Sequence, residues 1–255
     1  MQKAKNTEKS ADTRLNDSFG QARIEQMFGA GVHYGYGKQR RHPSVSPYIY
    51  ATKNKGDLIN LEKTIVMLDN AAEFVKGLGA KGKTVLFVGT KPEARTAVKN
   101  GAEALGMPYV IERWIGGTIS NFSEIKKRIN ELENYRKENA EGGLDKYTKK
   151  ERVVMAKKME KLAKYYGGLI GLKKTPDALF IVDAKSEYIA LTESVNGGVP
   201  VVALVNSDSN IKSIDYPILG NDASIPSINL FTASIVKAYK EGQASVPLQK
   251  ETKKE

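Results

Sequence analysis

The sequence has few of the residues on which catalytic and metal sites depend: its 255 residues include no cysteine and only two histidines. Without cysteine, disulfides, thiolate zinc sites and cysteine nucleophiles are all excluded. The two histidines, His33 and His42, are nine positions apart with no carboxylate between them, which disfavours a metal site. No serine occupies a Gly-x-Ser-x-Gly elbow, so we expect neither a Ser-His-Asp triad nor an enzyme.

Long apolar segments are also missing. No run approaches the roughly 20 apolar residues that a membrane-spanning helix needs. The charged N-terminus has no apolar core of the kind that secretory signals carry. The hydrophobic fraction of 40% is nevertheless that of a chain able to bury a core. We therefore expect a soluble, cytoplasmic, globular protein without a membrane partner.

Acidic residues are outnumbered, because 40 basic side chains face 29 acidic ones and leave a net charge of +11. The excess is regional. Residues 33–55 carry five basic and no acidic side chains, and residues 120–166 carry 13 basic and eight acidic ones. Excess positive charge favours polyanions, of which nucleic acid is the commonest inside cells. These two regions are therefore the candidate RNA-binding surfaces.

Short apolar runs alternate with amphipathic segments over most of the chain. Continuous apolar strands separated by helices are typical of a parallel sheet covered on both faces. We predict a doubly wound, mostly parallel α/β domain of the Rossmann or flavodoxin type, built from residues 19–119 and 167–242. The predicted strands are 84–89, 107–111, 177–182, 200–205 and 215–219, and the predicted helices are 62–78, 92–105, 186–196 and 224–240.

Residues 120–166 interrupt this alternation. Apolar residues recur at spacings of three and four in two seams, 122–132 and 155–169, with a polar turn containing two glycines between them. The pattern predicts an antiparallel coiled-coil hairpin inserted into the sheet domain. The polar ends of the chain, residues 1–18 and 243–255, are predicted to be flexible tails.

The turns after the predicted strands leave a second function open, that of an α/β enzyme or nucleotide-binding module. The turn GTKPEA has one glycine, whereas the dinucleotide and phosphate-loop fingerprints need more at fixed spacing, and Pro92 removes an amide donor. Asp183, Asp208 and Asp222 each follow a strand, where they would cap turns or, less readily, hold a magnesium ion. These patterns favour structural turns, so we expect no catalytic residue, cofactor, metal or small-molecule substrate.

Thirteen residues are candidates for RNA contact. Cations neutralise phosphates, and aromatic or guanidinium planes stack on unpaired bases. We expect the tyrosines of residues 33–55 to pack on the core and Trp114 to act mainly as a packing anchor. About half of the hairpin charge is that of any solvated helix face. The candidates are His33, Lys38, Arg40, Arg41, Lys53, Lys55, Arg113, Trp114, Lys126, Lys127, Arg128, Lys157 and Lys158.

Six motifs in order give the chain a family resemblance from about Ile24 to about Glu241. They are AGVHYGYGKQRRHPSVSPYIY, DLINLEKT, LFVGTKPEA, RWIGGTISNF, PDALFIVD and YPILGNDASIPSI. Together they resemble the signatures of the bacterial-type ribosomal protein S-two family. The resemblance implies a sheet domain with a protruding coiled-coil hairpin, located between the head and body of the small (30S) ribosomal subunit. It also implies contact with 16S ribosomal RNA (rRNA) and other small-subunit proteins, with ribosomal protein S-one as a candidate partner in bacteria.

Three segments depart from the family pattern. Tyr36 and Gly37 occupy the places of a second histidine and a glutamine, and Arg41-His42 replaces a tryptophan-asparagine pair. The loop at 206–213 has lost acidic residues. Because the segment around Arg41 is free of acidic residues, we expect Arg41 to add a phosphate contact. Arg41→Glu should then weaken incorporation into ribosomal subunits.

Overall fold

The computed structural model describes residues 18–143 and 147–245. These residues form helices α1 (Ser18–Gly29), α2 (Leu61–Ala80), α3 (Pro92–Glu103), α4 (Phe122–Ala140), α5 (Lys149–Tyr166), α6 (Tyr188–Asn196) and α7 (Ile225–Ala244). The strands are β1 (Tyr34–Gly37), β2 (Ile49–Lys53), β3 (Gly56–Ile59), β4 (Val85–Val88), β5 (Tyr109–Val110), β6 (Ala178–Val182), β7 (Val201–Val205) and β8 (Tyr216–Leu219). Short 3-10 helices cover Lys38–Arg40, Pro43–Tyr48, Gly167–Leu169 and Ile211–Ser213.

The five predicted strands form one parallel sheet in the order β5-β4-β6-β7-β8. Strands β4, β6 and β7 are buried along their whole length, because each is a continuous apolar run covered on both faces. Numbered along the chain, the order is 2-1-3-4-5, which is that of flavodoxin-like sheets and changes direction between β4 and β6. The prediction of a doubly wound α/β sheet is confirmed.

Helices cover both faces of this sheet. α2, α3 and α7 pack on one face, where the rings of Phe87 and Phe180 meet edge to face with centroids 5.4 Å apart. α6 and the first turns of α4 pack on the other face, around Ile181. α2 and α7 approach closely because Gly79 and Gly242 place no side chain between the two backbones. The core is therefore two apolar layers separated by the sheet.

A second sheet, antiparallel and of order β1-β3-β2, precedes the parallel sheet in the chain. β2 and β3 form a hairpin whose turn residues Asn54 and Lys55 have φ angles of 51° and 65°. Two successive positive φ angles are typical of the type I′ turn that joins twisted hairpin strands. The sequence did not predict these strands because they are short and half polar, and their two turn residues include no glycine.

Two helices, α4 and α5, lie between β5 and β6, as the seams predicted. Ile125 and Ile129 of α4 pack into the sheet domain's core, and Met159 of α5 is buried. The Thr148 side chain and Glu151 form a capping box at the start of α5. The structure shows two separate helices in this region. Their assembly as an antiparallel coiled-coil hairpin stays a prediction. Residues 144–146 of the predicted turn lie outside the described residues.

The predicted tails lie almost entirely outside the described residues, and only their inner edges can be compared. α1 begins at Ser18, and α7 continues to Ala244, two residues beyond the predicted domain boundary at 242.

In the part of the chain that the structure describes, no helix combines the length and apolar character needed to cross a membrane.

Candidate nucleic-acid interface

Four cations meet at one end of the small sheet, and we call this group the cationic tip: Lys38, Arg40, Lys53 and Lys55. Pairing brings Lys53 and Lys55 next to the 3-10 helix that carries Lys38 and Arg40, because β1 and β2 flank β3 and both pair with Gly56. The amide of Lys38 also donates to the carbonyl of Lys55 over 3.2 Å. All four side chains are exposed. Within residues 18–143 and 147–245, none of them has an acidic partner.

The segment that carries Lys38 and Arg40 is held at both of its ends by one residue of the loop after β7. The Tyr36 amide donates to the Ser207 hydroxyl (2.9 Å), and the His42 amide donates to the Ser207 carbonyl (2.8 Å). The Arg40 guanidinium carbon lies 5.7 Å from the centroid of the Tyr36 ring, within the range of a cation–π contact. Half of the cationic tip is thus fixed to the parallel sheet at the carboxyl-terminal end of β7.

Arg41 differs from the four residues of the cationic tip, because its guanidinium group pairs with a carboxylate of the protein itself. Its Nε lies 3.1 Å from Oδ2 of Asp57, whose side chain is fully buried. The other oxygen of Asp57 accepts a hydrogen bond from the Thr52 hydroxyl (2.8 Å). The expectation that Arg41 has acid-free surroundings was wrong, because Asp57 lies just beyond the acid-free segment and folds back onto it. A phosphate contact by Arg41 stays a prediction.

Aromatic side chains form an exposed patch beside the small sheet, and we call Phe28, Tyr34 and Tyr50 the aromatic patch. The His33 ring stacks on Phe28 with centroids 4.3 Å apart and contacts Tyr34 at 4.0 Å. Burial lowers the pKa of His33. Phe28, His33 and Tyr50 line a cavity of about 320 Å³. The expectation that the tyrosines pack on the core was wrong for Tyr34 and Tyr50, which are 58% and 77% exposed.

Arg113 and Trp114 are the candidate pair between β5 and α4. The first is an exposed cation and the second a buried ring. Arg113 is exposed, whereas Trp114 is 5% exposed and packs in the core, as expected of a packing anchor. The loop that follows is fixed by Glu193 of α6, whose carboxylate accepts the amides of Gly117 (2.7 Å) and Ile119 (3.2 Å). Only the arginine of this pair is exposed for contact with a phosphate.

The candidates within residues 120–166 are exposed on α4 and α5: Lys126, Lys127, Arg128, Lys157 and Lys158. Acidic side chains engage three of them. Lys127 pairs with Glu124 (2.5 Å), and Glu131 is shared by Arg128 and by Lys158 of the other helix. The remaining two lysines have no acidic partner among the described residues. The positive charge of α4 and α5 is therefore more strongly neutralised than that of the cationic tip.

Comparison with known proteins identifies the family of this chain. The family model described as Ribosomal protein S2 matches residues 27–242, which include both candidate regions. The chain belongs to the ribosomal protein S2 family. One similar relative is the small ribosomal subunit protein uS2 of Salinibacter ruber, which is 39% identical over 231 residues. The aligned part covers 91% of this chain and 72% of that relative.

In this S2-family chain, the side-chain ammonium group of Lys91 occupies the crevice between β4 and β6, the place where doubly wound sheets bind ligands. Nζ of Lys91 lies 2.5 Å from Asp183 and 3.0 Å from Asp222. Burial alone would lower the pKa of Lys91, but the two carboxylates raise it. Burial likewise opposes ionisation of Asp183, yet bonds from Lys91 and Ser186 lower its pKa. Among the described residues, no group of three or more His, Cys, Asp or Glu side chains is placed to hold a metal ion.

Sequence reasoning missed three residues that organise the interface of this S2-family chain: Asp57, Glu193 and Ser207. The charge of Asp57, two positions after Lys55, was a usable signal for an internal partner of the nearby cations. Ser207 acts partly through its backbone carbonyl, and Glu193 binds amides more than 70 positions earlier. No local pattern reveals contacts of that kind.

Proposed function

We propose that this chain is a structural, non-catalytic constituent of the small ribosomal subunit and binds 16S rRNA through its cationic tip. The observation that carries the proposal is the tip itself, in which four exposed cations lie together without an acidic partner among the described residues. The family and the uS2 relative support the small subunit as the place of action. The protein would then work in the cytoplasm, as part of the ribosome.

The physical basis of the binding is charge neutralisation on the RNA backbone. Cations that have no partner in the protein gain the full interaction with phosphates and release the counterions condensed there. The deep, narrow major groove of an RNA helix is poorly readable, so such contacts carry little sequence information. Binding should therefore weaken steeply with salt and depend on RNA shape more than on sequence.

The hairpin helices α4 and α5 supply a second, weaker contact in this proposal. Lys126 and Lys157 are its strongest members, because they have no acidic partner among the described residues. Exposed Arg113 lies at the junction between this region and the sheet domain. The paired cations can join by exchanging a carboxylate for a phosphate, but exchange of one partner for another gains less free energy than a new contact does.

Three lysines of the cationic tip provide the test. The variant Lys38→Gln/Lys53→Gln/Lys55→Gln should bind less tightly to small subunits that have been depleted of this protein. Each lost phosphate contact should reduce the slope of log affinity against log salt by about 0.7–0.9, which makes about 2–3 for the triple variant. Co-sedimentation over a series of salt concentrations measures both the affinity and the slope.

A matched triple variant controls for the loss of charge. Lys81, Lys237 and Lys240 are also exposed lysines, and they lie outside both cationic regions. The variant Lys81→Gln/Lys237→Gln/Lys240→Gln removes the same charge and should bind with the parent's salt slope. Equal losses in the two triple variants would show that net charge, rather than the cationic tip, determines binding.

The aromatic patch supports a contact with another small-subunit protein, with ribosomal protein S-one as the candidate. Large exposed aromatic side chains beside an apolar cavity are typical of a protein-binding surface. Replacing Tyr50 by alanine should weaken binding of purified S-one, measured by calorimetry. Tyr188→Ala is the control, since Tyr188 is similarly exposed but lies on α6. Unchanged affinity for the Tyr50 variant would exclude this surface as the site.

A further inference from the structure

A chain of hydrogen bonds connects the crevice between β4 and β6 to the segment that carries Lys38 and Arg40. Oδ1 of Asp222 accepts a hydrogen bond from the Asn206 side-chain amide (3.0 Å). Oδ1 of Asn206 in turn accepts the Ser207 amide (2.7 Å). Ser207 then holds that segment from both sides, as described above. The loop after β7 is therefore the support of half of the cationic tip, and Asp222 fixes the loop.

Lys91 determines how Asp222 is oriented. The Asp222 side chain is fully buried, Asp183 is 5% exposed and Lys91 is 21% exposed. The two buried carboxylates share this one ammonium group, with N–O distances of 3.0 and 2.5 Å. Removal of the cation would leave the carboxylates to repel each other in a poorly solvated crevice. Asp183 would keep its hydrogen bonds from the Lys185 and Ser186 amides and the Ser186 hydroxyl, whereas burial raises the pKa of Asp222. Asp222 is therefore the carboxylate expected to turn away or bind a proton, which disturbs its bond from Asn206.

The Tyr36 ring makes a second connection between the crevice and the tip. It lies near the Arg40 guanidinium on one side. On the other side its hydroxyl interacts electrostatically with both Lys91 and Asp222. Burial and the Asp222 charge raise the pKa of Tyr36, so the ring stays neutral at physiological pH. A change at Lys91 can therefore reach Arg40 through the ring as well as through the loop.

We propose that Lys91 is a positioning residue for the RNA contact: acting through Asp222 and the loop after β7, it holds Lys38 and Arg40 in their binding orientation. The inference rests on the proposed function of the cationic tip. Lys91 itself is bound to two carboxylates in the crevice, so it contributes by orienting its neighbours and makes no phosphate contact of its own.

The test compares Lys91→Met with Lys99→Met. Lys99 is an exposed lysine on α3, the helix that begins directly after Lys91, and its Nζ lies 3.9 Å from Glu103. In Lys91→Met, hydrogen exchange at the Tyr36 and His42 amides should become at least tenfold faster, while β6 and β7 stay protected. Affinity for depleted small subunits should fall several-fold with an unchanged salt slope. The slope is retained because a smaller fraction of molecules is competent to bind, while each competent molecule makes the same phosphate contacts. Lys99→Met should match the parent in both measurements.

A rescue variant separates positioning from general damage to the fold. Asp222→Asn removes one of the two repelling charges and retains an oxygen that can accept the bond from Asn206. Lys91→Met/Asp222→Asn should therefore recover most of the exchange protection and of the affinity. Faster exchange throughout both sheets, or a double variant no better than Lys91→Met, would overturn the positioning role.

The outcomes also separate this inference from the proposed function. Normal binding by the triple-lysine variant would refute the RNA contact of the tip, whereas the exchange data would still report on the hydrogen-bond chain. If the triple variant is defective and Lys91→Met binds normally, the proposed function stands and the positioning role is refuted. Unchanged exchange at Tyr36 and His42 in Lys91→Met refutes the positioning role directly.

Discussion

Replacing Arg41 by methionine should destabilise the fold, because Arg41 is the ionic partner of a fully buried carboxylate. Its Nε lies 3.1 Å from Asp57 Oδ2, and the side chains are 17% and 0% exposed. Removing one member of a buried ion pair leaves the other charge uncompensated, at a cost of about 3–5 kcal/mol. Since Arg41 retains some solvent contact, we expect the free energy of unfolding to fall by about 3 kcal/mol. That corresponds to a fall in Tm of about 6–12 °C for a chain of this size.

Differential scanning calorimetry on matched variants tests this value. Arg40→Met removes the neighbouring guanidinium, which has no acidic partner among the described residues, and should change Tm by no more than about 2 °C. The double variant Arg41→Met/Asp57→Asn removes both charges and retains an acceptor for the Thr52 hydroxyl. It should recover most of the stability that Arg41→Met loses.

Two results would refute this reasoning about Arg41. One is an Arg41→Met variant that melts within about 2 °C of the parent, which would mean that water already solvates Asp57. The other is a double variant as unstable as Arg41→Met, which would mean that packing of the arginine stem matters more than its charge. The double variant also tests the phosphate contact, since a loss of subunit binding at recovered stability would show that Arg41 touches RNA.

Two further predictions concern the sheet domain. Gly79→Ala should unfold the protein or make it insoluble, because the new Cβ would collide with the Tyr239 carbonyl oxygen of α7. Gly77→Ala, on the same helix with no atom within 4 Å of the new Cβ, should instead raise stability by about 1 kcal/mol in calorimetry. Asp177→Asn should lower stability at pH 7, because hydrogen bonds from Lys83 and a backbone amide outweigh the opposing effect of burial and lower the carboxylate's pKa. The stabilisation is present above the unfolded-state pKa of about 4 and is lost as pH falls through the lower folded value. Parent and variant should therefore converge in urea titrations as pH falls below the folded-state pKa.

The parallel sheet was predictable because its strands need no information from distant residues to be recognised. Each of β4, β6 and β7 is a continuous apolar run between turn residues, a pattern that strands buried on both faces require. The start of α3 was equally clear, since Pro92 fits the first turn of a helix. The small sheet of β1, β2 and β3 escaped prediction because its strands are short and half polar.

The candidate interface was predictable in its location and unpredictable in its pairing. Net charge along the chain marked residues 33–55, and four of the five cations there have no acidic partner among the described residues. It could not show that Arg41 turns inward to Asp57, or that cations of α4 and α5 are partly neutralised by Glu131. Ion pairs depend on which side chains the fold brings within a few ångströms, and Coulomb energies fall with that distance.

The sequence by itself determined the fold class, the two cationic regions and, through its motifs, the family. These properties follow from local periodicity, composition and the order of motifs. Only the tertiary structure decided which cations are free and what holds them, because Lys91 and Asp222 are 131 positions apart and Tyr36 and Ser207 are 171 apart. Contacts of that separation exist only in the folded sheet, so their energies appear in no local window of the sequence.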